Sequence, residues 1–248
     1  MKEIGVVDYW KCKNCGFVSS KTYQELPFKK WEKLNSDFHH FGENLKSNND
    51  RLGNQPPYLQ QATMLNILQN KKIINPAKML DYAGGYGTLS KILEKYYGLG
   101  LLVYDPYIQT NETNYVLKEQ LEKYKVVINS AMFEHVISRQ DLDNVNDLVD
   151  MDGCLVLHTR ICEEIPKDPD WFYVLPVHCA FHTNMSMEIL MRQWKYESSI
   201  YCPVARCWVL FKKDRKDFHE IIKKINLEFE QDYLFYKKGF LDYWKTVG

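Results

Sequence analysis

Two acidic residues and three glycines stand where the chain can bind a nucleotide-type cofactor. Asp81 ends a short apolar run, and Gly84, Gly85 and Gly87 follow it ahead of a segment with helical apolar spacing. Glycines at such a turn allow the backbone to reverse tightly and to approach a ligand closely. Asp105 ends the next apolar run, where a doubly wound fold places the carboxylate that binds ribose hydroxyls. We therefore predict an adenosine site at the ends of two neighbouring strands.

The kind of adenosine cofactor follows from what the turn lacks. A dinucleotide fingerprint has a third glycine, in G-x-G-x-x-G, and holds a pyrophosphate at the helix N-terminus. Ser90 occupies that third position here, and the acidic Asp81 repels phosphate while it suits a cationic amino acid group. The pattern favours S-adenosylmethionine over NAD, with an NAD-dependent oxidoreductase as the alternative from another reaction class.

On these residues the chain resembles the class I S-adenosylmethionine-dependent methyltransferases. The first motif of that family, acidic-x-Gly-x-Gly-x-Gly, is met by Asp81, Gly85 and Gly87, and Ala83 stands at the position of its first glycine. Asp105 meets the second motif. The resemblance implies an α/β fold with a Rossmann-like, mostly parallel sheet and an antiparallel last strand.

Two later motifs extend the resemblance over residues 75 to 212. A buried run before Asn129 and Ser130 leads into the pair Glu134 and His135, and a strand over 154–159 matches a further family pattern. The resemblance implies that S-adenosylmethionine is bound by Asp81, Ala83, Gly84, Gly85, Gly87, Asp105, Asn129 and Ser130.

An aromatic segment at 168–184 carries a finer resemblance. Its residues Trp171, Tyr173, Pro176, His178 and Phe181 resemble a pattern of bacterial methyltransferases in sugar and surface-polysaccharide biosynthesis. In such proteins this loop covers the substrate mouth, which implies methylation of a sugar or sugar-nucleotide hydroxyl in capsule polysaccharide biosynthesis. An N- or C-methyltransferase of another metabolite and a non-catalytic binding module remain as alternatives.

A hydroxyl acceptor must lose a proton during methyl transfer, and histidine is the commonest base for that step. We predict His178 as the first candidate, with His182 and His135 as the others. The residues predicted to contact the acceptor are Trp171, Tyr173 and Phe181, through their ring faces, and Arg160, through an anionic group.

Two sequence patterns raise the question of a metal ion. Cys12 and Cys15 form C-x2-C-G, the first half of a zinc knuckle, and zinc needs four ligands. His39 and His40 are candidates to complete the set, but we favour two packed thiols, with zinc as the alternative. In a quinone-related branch of the family, E-x-x-E-H binds a divalent cation. Because Ala131 replaces its first glutamate, we expect no metal there.

Composition and charge bound the class of protein. The 248 residues are 45% apolar, which suits one α/β domain over residues 56–248 and an N-terminal appendage over residues 1–55. Lysine plus arginine and aspartate plus glutamate number 32 each, which disfavours nucleic acid and anionic membranes as partners. We expect a small-molecule substrate, a possible homodimer and, without a signal peptide, a cytoplasmic protein. Seven cysteines do not predict a disulfide framework.

The remaining periodicity predicts the elements around these sites. We predict a helix over 58–69, a short third strand over 114–117 or none, and an antiparallel pair over 196–201 and 205–211. We also predict one long amphipathic helix over 217–236.

Overall fold

A computed structural model describes residues 5–44, 56–108 and 110–242. The strands are β1 (Tyr9–Lys11), β2 (Val18–Ser20), β3 (Met79–Tyr82), β4 (Leu102–Tyr104), β5 (Tyr124–Ser130), β6 (Val149–His158), β7 (Ile161–Cys162), β8 (Ala180–Thr183), β9 (Ser198–Cys202), β10 (Cys207–Phe211) and β11 (Phe235–Lys238). The α-helices are α1 (Lys21–Glu25), α2 (Phe28–Asn44), α3 (Tyr58–Asn70), α4 (Thr88–Tyr97), α5 (Arg139–Asp147), α6 (Asn184–Gln193) and α7 (Phe218–Glu228).

The larger sheet has seven strands in the order β11, β9, β10, β6, β5, β3, β4. Strands β4, β3, β5 and β6 are parallel, and β10 lies antiparallel between β6 and β9. Parallel strands have their carboxyl ends at one edge of the sheet, where ligands of open α/β sheets bind. The architecture confirms the predicted α/β fold with its antiparallel strand, and the pair β9 and β10 confirms the predicted antiparallel pair.

Helices cover both faces of this sheet, as expected for near-continuous apolar strands. One buried cluster joins the sheet to α3, α4 and α7, and a second joins its other face to α5 and α6. The predicted helix over 58–69 matches α3. Within the described residues, no helix combines the length and apolar character needed to cross a bilayer.

A second, four-stranded sheet in the order β1, β2, β8, β7 lies beside the first. The β1–β2 hairpin belongs to the predicted appendage, yet β2 pairs antiparallel with β8, which lies within the aromatic segment. Tyr23 of α1 and Trp31 of α2 pack against Cys179 and Ala180. The appendage therefore contributes to the wall around the aromatic segment. The predicted boundary at residue 55 lies outside the described residues and stays a prediction.

Two predicted elements remain to be compared with the structure. Residues 114–117, predicted as a short third strand or none, contribute only an isolated parallel bridge between Val103 and Tyr115, which agrees with the second of these outcomes. The long helix predicted over 217–236 is wrong over residues 229–236: α7 ends at Glu228, Glu230 adopts a φ of +53°, and β11 then pairs with β9. The Asn226 side chain bonds both backbone polar groups of Leu234, which holds the chain reversal and satisfies groups that a longer helix would have paired internally.

Candidate functional site

The glycine turn joins β3 to α4 and is shaped by its neighbours. Gly85 and Gly87 have φ angles of +54° and +66°, a region that glycine enters without steric cost. Ala83 also has a positive φ, of +61°, so the position that carries glycine in the family motif keeps a glycine-like backbone here. The turn therefore presents backbone groups at the carboxyl edge of the sheet.

Asp105 follows β4 and is hydrogen-bonded to this turn. Its Oδ2 accepts from the Gly85 amide at 2.9 Å, and its Oδ1 accepts from the Tyr107 amide at 2.8 Å. The Tyr115 hydroxyl donates to the Gly85 carbonyl at 2.7 Å. A carboxylate offers about four acceptor positions, so Asp105 retains two for ribose hydroxyls. Tyr115 was not predicted, since nothing in its local sequence distinguishes it.

Asp81 is buried at the end of β3. Burial, and then the nearby Asp105, raises the pKa of its carboxyl to about 7. Its Oδ1 has no hydrogen-bond partner among the described residues. Leaving such a buried oxygen unpaired costs free energy, and a cationic ligand group would restore both the charge and the hydrogen bond.

Asn129 and Ser130 end β5, next to β3. The Asn129 amide donates to the Tyr82 carbonyl at 3.0 Å, while its buried Oδ1 is unpaired within the described structure. Two buried acceptors, on Asp81 and Asn129, thus remain at neighbouring strand ends. These residues fit the ammonium group of S-adenosylmethionine.

Ser130 leads to a residue that sequence reasoning missed. Its hydroxyl donates to Gln61 Oε1 at 3.1 Å, and Gln61 is 1% exposed on α3. The signal was present, because Gln61 is a polar residue on the otherwise apolar face of that helix.

A buried glutamate lies four residues beyond Ser130. Glu134 Oε2 accepts from the Thr159 hydroxyl at 2.9 Å, and Oε1 accepts from the Tyr173 hydroxyl at 2.8 Å. Burial and the nearby Glu134 carboxylate raise the pKa of Tyr173, so its hydroxyl keeps its proton and donates. The Glu134 carbonyl also accepts from the Cys179 amide at 2.8 Å. Glu134 therefore connects the end of β5 with the aromatic segment.

Two of the three predicted bases meet at this glutamate. The ring centroids of His135 and His178 are 4.8 Å apart, with the rings edge-on to each other. The atoms of Glu134, His135 and His178 that can bind a metal ion also lie within 4.8 Å of one another. His178 Nδ1 lies 2.7 Å from the Tyr173 carbonyl oxygen. A carbonyl only accepts, so Nδ1 carries the proton in this bond, and in the neutral ring Nε2 holds the lone pair.

His182, the third predicted base, is not part of this cluster. Its ring contacts those of Phe17 and Phe133 and is 2% exposed. Burial lowers its pKa to about 4, so it is neutral and weakly basic near pH 7. Its role as a base stays a prediction that this environment disfavours.

A cavity of about 640 Å³ opens between the appendage and the aromatic segment. Trp171 and Phe181 line it together with Tyr9, and Lys11 and Lys167 lie among its polar groups. The Tyr173 ring packs against two of these rings, with its centroid 5.5 Å from that of Trp171 and 6.1 Å from that of Phe181. Trp171 and Phe181 therefore line one cavity, and Tyr173 lies between them and Glu134; their contact with an acceptor stays a prediction.

Arg160 lies on the outer side of this region. Its exposed guanidinium lies over the Phe172 ring at 5.3 Å, and its backbone amide donates to the Tyr173 hydroxyl. Its predicted contact with an anionic acceptor group stays a prediction.

Cys12 and Cys15 occupy the β1–β2 turn. Gly16 has a φ of +75°, and its amide donates to the Cys12 carbonyl at 2.9 Å, which closes a knuckle-like turn. Backbone amides, chiefly that of Cys15, lower the pKa of the Cys12 thiol. Among the described residues, the one group of three clustered metal-ligand side chains contains neither cysteine. The side chains of His39 and His40 lie outside the part of the chain that the structure describes.

Comparison with known proteins identifies the fold. No protein-family model and no curated protein matches this chain. The solved structure of the plantazolicin methyltransferase BpumL, in complex with a triazolic desmethylPZN analog and SAH, is 14% identical and covers 84% of this chain and 96% of its own, with a TM-score of 0.50. A SAM-dependent methyltransferase from Archaeoglobus fulgidus is 17% identical over 71% of this chain and 94% of its own, with a TM-score of 0.41.

A third match is shorter. The mitomycin 7-O-methyltransferase MmcR is 14% identical over 60% of this chain, with a TM-score of 0.39, and this chain spans about half of its length, 52%. At such identities the likeness shows the fold alone. This protein has the class I methyltransferase fold.

Proposed function

We propose that this protein transfers the methyl group of S-adenosylmethionine to a hydroxyl oxygen of a small-molecule acceptor. The observation that carries the proposal is the pair of unpaired buried acceptors, Asp81 Oδ1 and Asn129 Oδ1, beside the glycine turn and Asp105. An ammonium group satisfies both oxygens, and the remaining lone pairs of Asp105 suit a ribose diol. A pyrophosphate, in contrast, would face the Asp81 carboxylate.

The cofactor supplies an electrophilic methyl group on a positively charged sulfur. In the transfer, the acceptor oxygen forms a bond to the methyl carbon while the carbon–sulfur bond breaks and its electron pair stays on sulfur. The acceptor hydroxyl also loses its proton. The work of the protein is to hold the oxygen in line with the breaking bond and to lower the barrier for proton removal.

The cluster of Glu134, His135 and His178 supports an oxygen acceptor. In its neutral form His178 carries the basic lone pair on Nε2, because Nδ1 donates to the Tyr173 carbonyl. The Glu134 carboxylate lies nearby and stabilises positive charge in the cluster. We propose that the proton of the acceptor leaves through this cluster, with His178, which belongs to the aromatic segment, as the first group to take it.

For the acceptor we propose a hydroxyl of a sugar or sugar nucleotide, within surface-polysaccharide biosynthesis. Two observations support it: the resemblance of the 168–184 segment, and the ring faces of Tyr9, Trp171 and Phe181 in one cavity. Aromatic faces stack on the apolar side of a sugar ring, and Lys167 provides positive charge for a phosphate, while the Lys11 ammonium is paired with Glu164.

The first experiment measures the methyl-donor site alone. Calorimetric titration of the purified chain with S-adenosylhomocysteine should give one saturable site, and Asp105→Ala should weaken it at least about tenfold through loss of the ribose bonds. Asp37→Ala, which removes an exposed carboxylate on α2, is the matched control and should bind as the wild type does. Absence of binding in the folded wild type would refute the proposal, and binding of NADH instead would favour an oxidoreductase.

The second experiment tests the acceptor. Transfer of a labelled methyl group from S-adenosylmethionine is measured with sugar nucleotides, phenols and amines as separate acceptor sets. Sugar nucleotides should be methylated on oxygen. Transfer to amines only would contradict the oxygen acceptor, and transfer to phenols only would contradict the sugar while it leaves methyl transfer to oxygen intact.

A further inference from the structure

We propose that Glu134, His135 and His178 form a binding site for one divalent transition-metal ion, with zinc as the reference ion. The site lies between the end of β5 and the aromatic segment, and it is separate from the Cys12–Cys15 turn. The inference goes beyond the proposed function, because metal binding can be measured whether or not a methyl group is transferred.

The first argument is distance. One carboxylate oxygen and two imidazole nitrogens lie within 4.8 Å of one another. Ligands bound to one zinc ion at about 2.0–2.2 Å lie about 3–4 Å apart. Small side-chain rotations therefore bring these three atoms onto a single ion.

The second argument is that two of the ligands are already oriented. Hydroxyls of Thr159 and Tyr173 hold both oxygens of the Glu134 carboxylate. The Tyr173 carbonyl holds His178 Nδ1 and so fixes the orientation of the imidazole ring. Metal-binding histidines typically donate their other ring N–H to a carbonyl or carboxylate, and ligating carboxylates are themselves hydrogen-bonded.

The third argument is charge in a buried place. Glu134 is 3% exposed and His178 is 6% exposed. Both hydrogen-bond partners of the Glu134 carboxylate are neutral hydroxyls. A buried carboxylate without full charge compensation is costly, and a divalent cation provides that compensation.

The ligand set also defines the class of ion. Two imidazoles and one carboxylate suit zinc and the other first-row divalent ions better than magnesium or calcium, which prefer oxygen. Three protein ligands leave at least one coordination position open. An acceptor oxygen in that position would lose its proton more readily, because a bound cation lowers the pKa of its ligand. In the metal-bound protein His178 would be a ligand, so the proton would pass from the bound oxygen to water and not to His178.

The sequence pattern alone pointed away from this site. Ala131 stands where the E-x-x-E-H pattern has its first glutamate, and it adopts a φ of +58° at the start of the turn after β5. His178 supplies the third ligand from another segment of the chain. The loss of that glutamate is therefore compensated through the fold.

The test is a titration of the chelator-treated full chain with Co²⁺, read by its visible d–d absorption, together with metal content after Zn²⁺ loading and dialysis. We expect one ion per chain. Glu134→Gln, His135→Gln and His178→Gln should each weaken binding at least about tenfold. His219→Gln, an exposed histidine on α7, should bind as the wild type does, and so should the double variant Cys12→Ser with Cys15→Ser.

Folding of each variant is followed by its melting temperature and by its affinity for S-adenosylhomocysteine. Three results would overturn the inference. The wild-type chain could bind no Co²⁺, the Co²⁺ absorption could persist in all three cluster variants, or it could be lost only in the double variant of Cys12 and Cys15. If the wild-type chain binds S-adenosylhomocysteine but no metal ion, the metal site is refuted and the proposed function still stands. The reverse result would refute the proposed function and leave the metal site.

Discussion

The Asp81 carboxylate lies so close to Gly84 that a Cβ atom added to Gly84 would be 2.8 Å from Asp81 Cγ. The same Cβ would be 2.9 Å from Val103 Cγ1. Asp81 and Val103 are Cα partners in the register of β3 and β4, and both are buried, so neither can move aside freely. The shape of the turn is therefore required by the strand pair beneath it.

Gly84→Ala should lower the free energy of unfolding by about 1–3 kcal/mol, the usual cost of overpacking, and should weaken binding of S-adenosylhomocysteine by displacing Asp81. Gly100→Ala is the control, because a Cβ there meets no atom within 4 Å. Urea denaturation and calorimetry measure the two effects. Equal stability of the two variants would contradict the close approach.

Ala83→Gly should act in the opposite direction. An L residue at φ +61° destabilises the folded state by about 1–2 kcal/mol, a cost that glycine avoids. The greater freedom of glycine in the unfolded chain opposes this gain and lowers the free energy of unfolding by about 0.4–1 kcal/mol. We expect a net gain of about 0.5 kcal/mol in the free energy of unfolding. Ala77→Gly, in a loop without a positive φ, should instead lose stability. A loss of stability in both variants would show that Ala83 is not strained.

The glycine turn and Asp105 could be predicted because their signals are local: an apolar run, a turn chemistry and a second run. The Glu134, Tyr173 and His178 contacts could not, since they join distant segments through the pairing of β2 with β8 and through the Cys179 amide. The over-long last helix was a failure of another kind. The helical spacing of apolar residues continues beyond the end of α7, but part of that stretch forms β11, which pairs with β9 at the edge of the sheet. Pairing with a distant strand therefore decided the structure of these residues against their local pattern.

The raised pKa of Asp81, about 7, makes stability and binding depend on pH in opposite ways. Above the ordinary value of 3.8, the unfolded chain releases this proton while the folded protein keeps it until about pH 7. The free energy of unfolding of the ligand-free protein should therefore fall as pH rises from about 4 to 7, by up to about 1.4 kcal/mol per pH unit.

Binding should follow the ionised carboxylate, because the ammonium group of the ligand pairs with the charged form. The affinity for S-adenosylhomocysteine should rise by up to about tenfold per pH unit towards pH 7 and then level off. Asp81→Asn removes the titrating group and should flatten both profiles. Titrations of both proteins with S-adenosylhomocysteine between pH 5.5 and 8.5, at steps of about half a pH unit, measure this dependence. A profile of Asp81→Asn that matches the wild type would assign the pH dependence to another group.

The cavity between the appendage and the aromatic segment gives the last prediction. Trp171 lines it, whereas the neighbouring Phe172 is 63% exposed and lies outside it, so the two rings form a matched pair one residue apart. Trp171→Leu should raise the KM for the acceptor about tenfold, the value of one stacking contact, with a smaller change in kcat. Phe172→Leu should leave both nearly unchanged. Since neither residue lies at the glycine turn, the affinity for S-adenosylhomocysteine should stay constant in both variants. Equal effects of the two substitutions would place the acceptor outside this cavity.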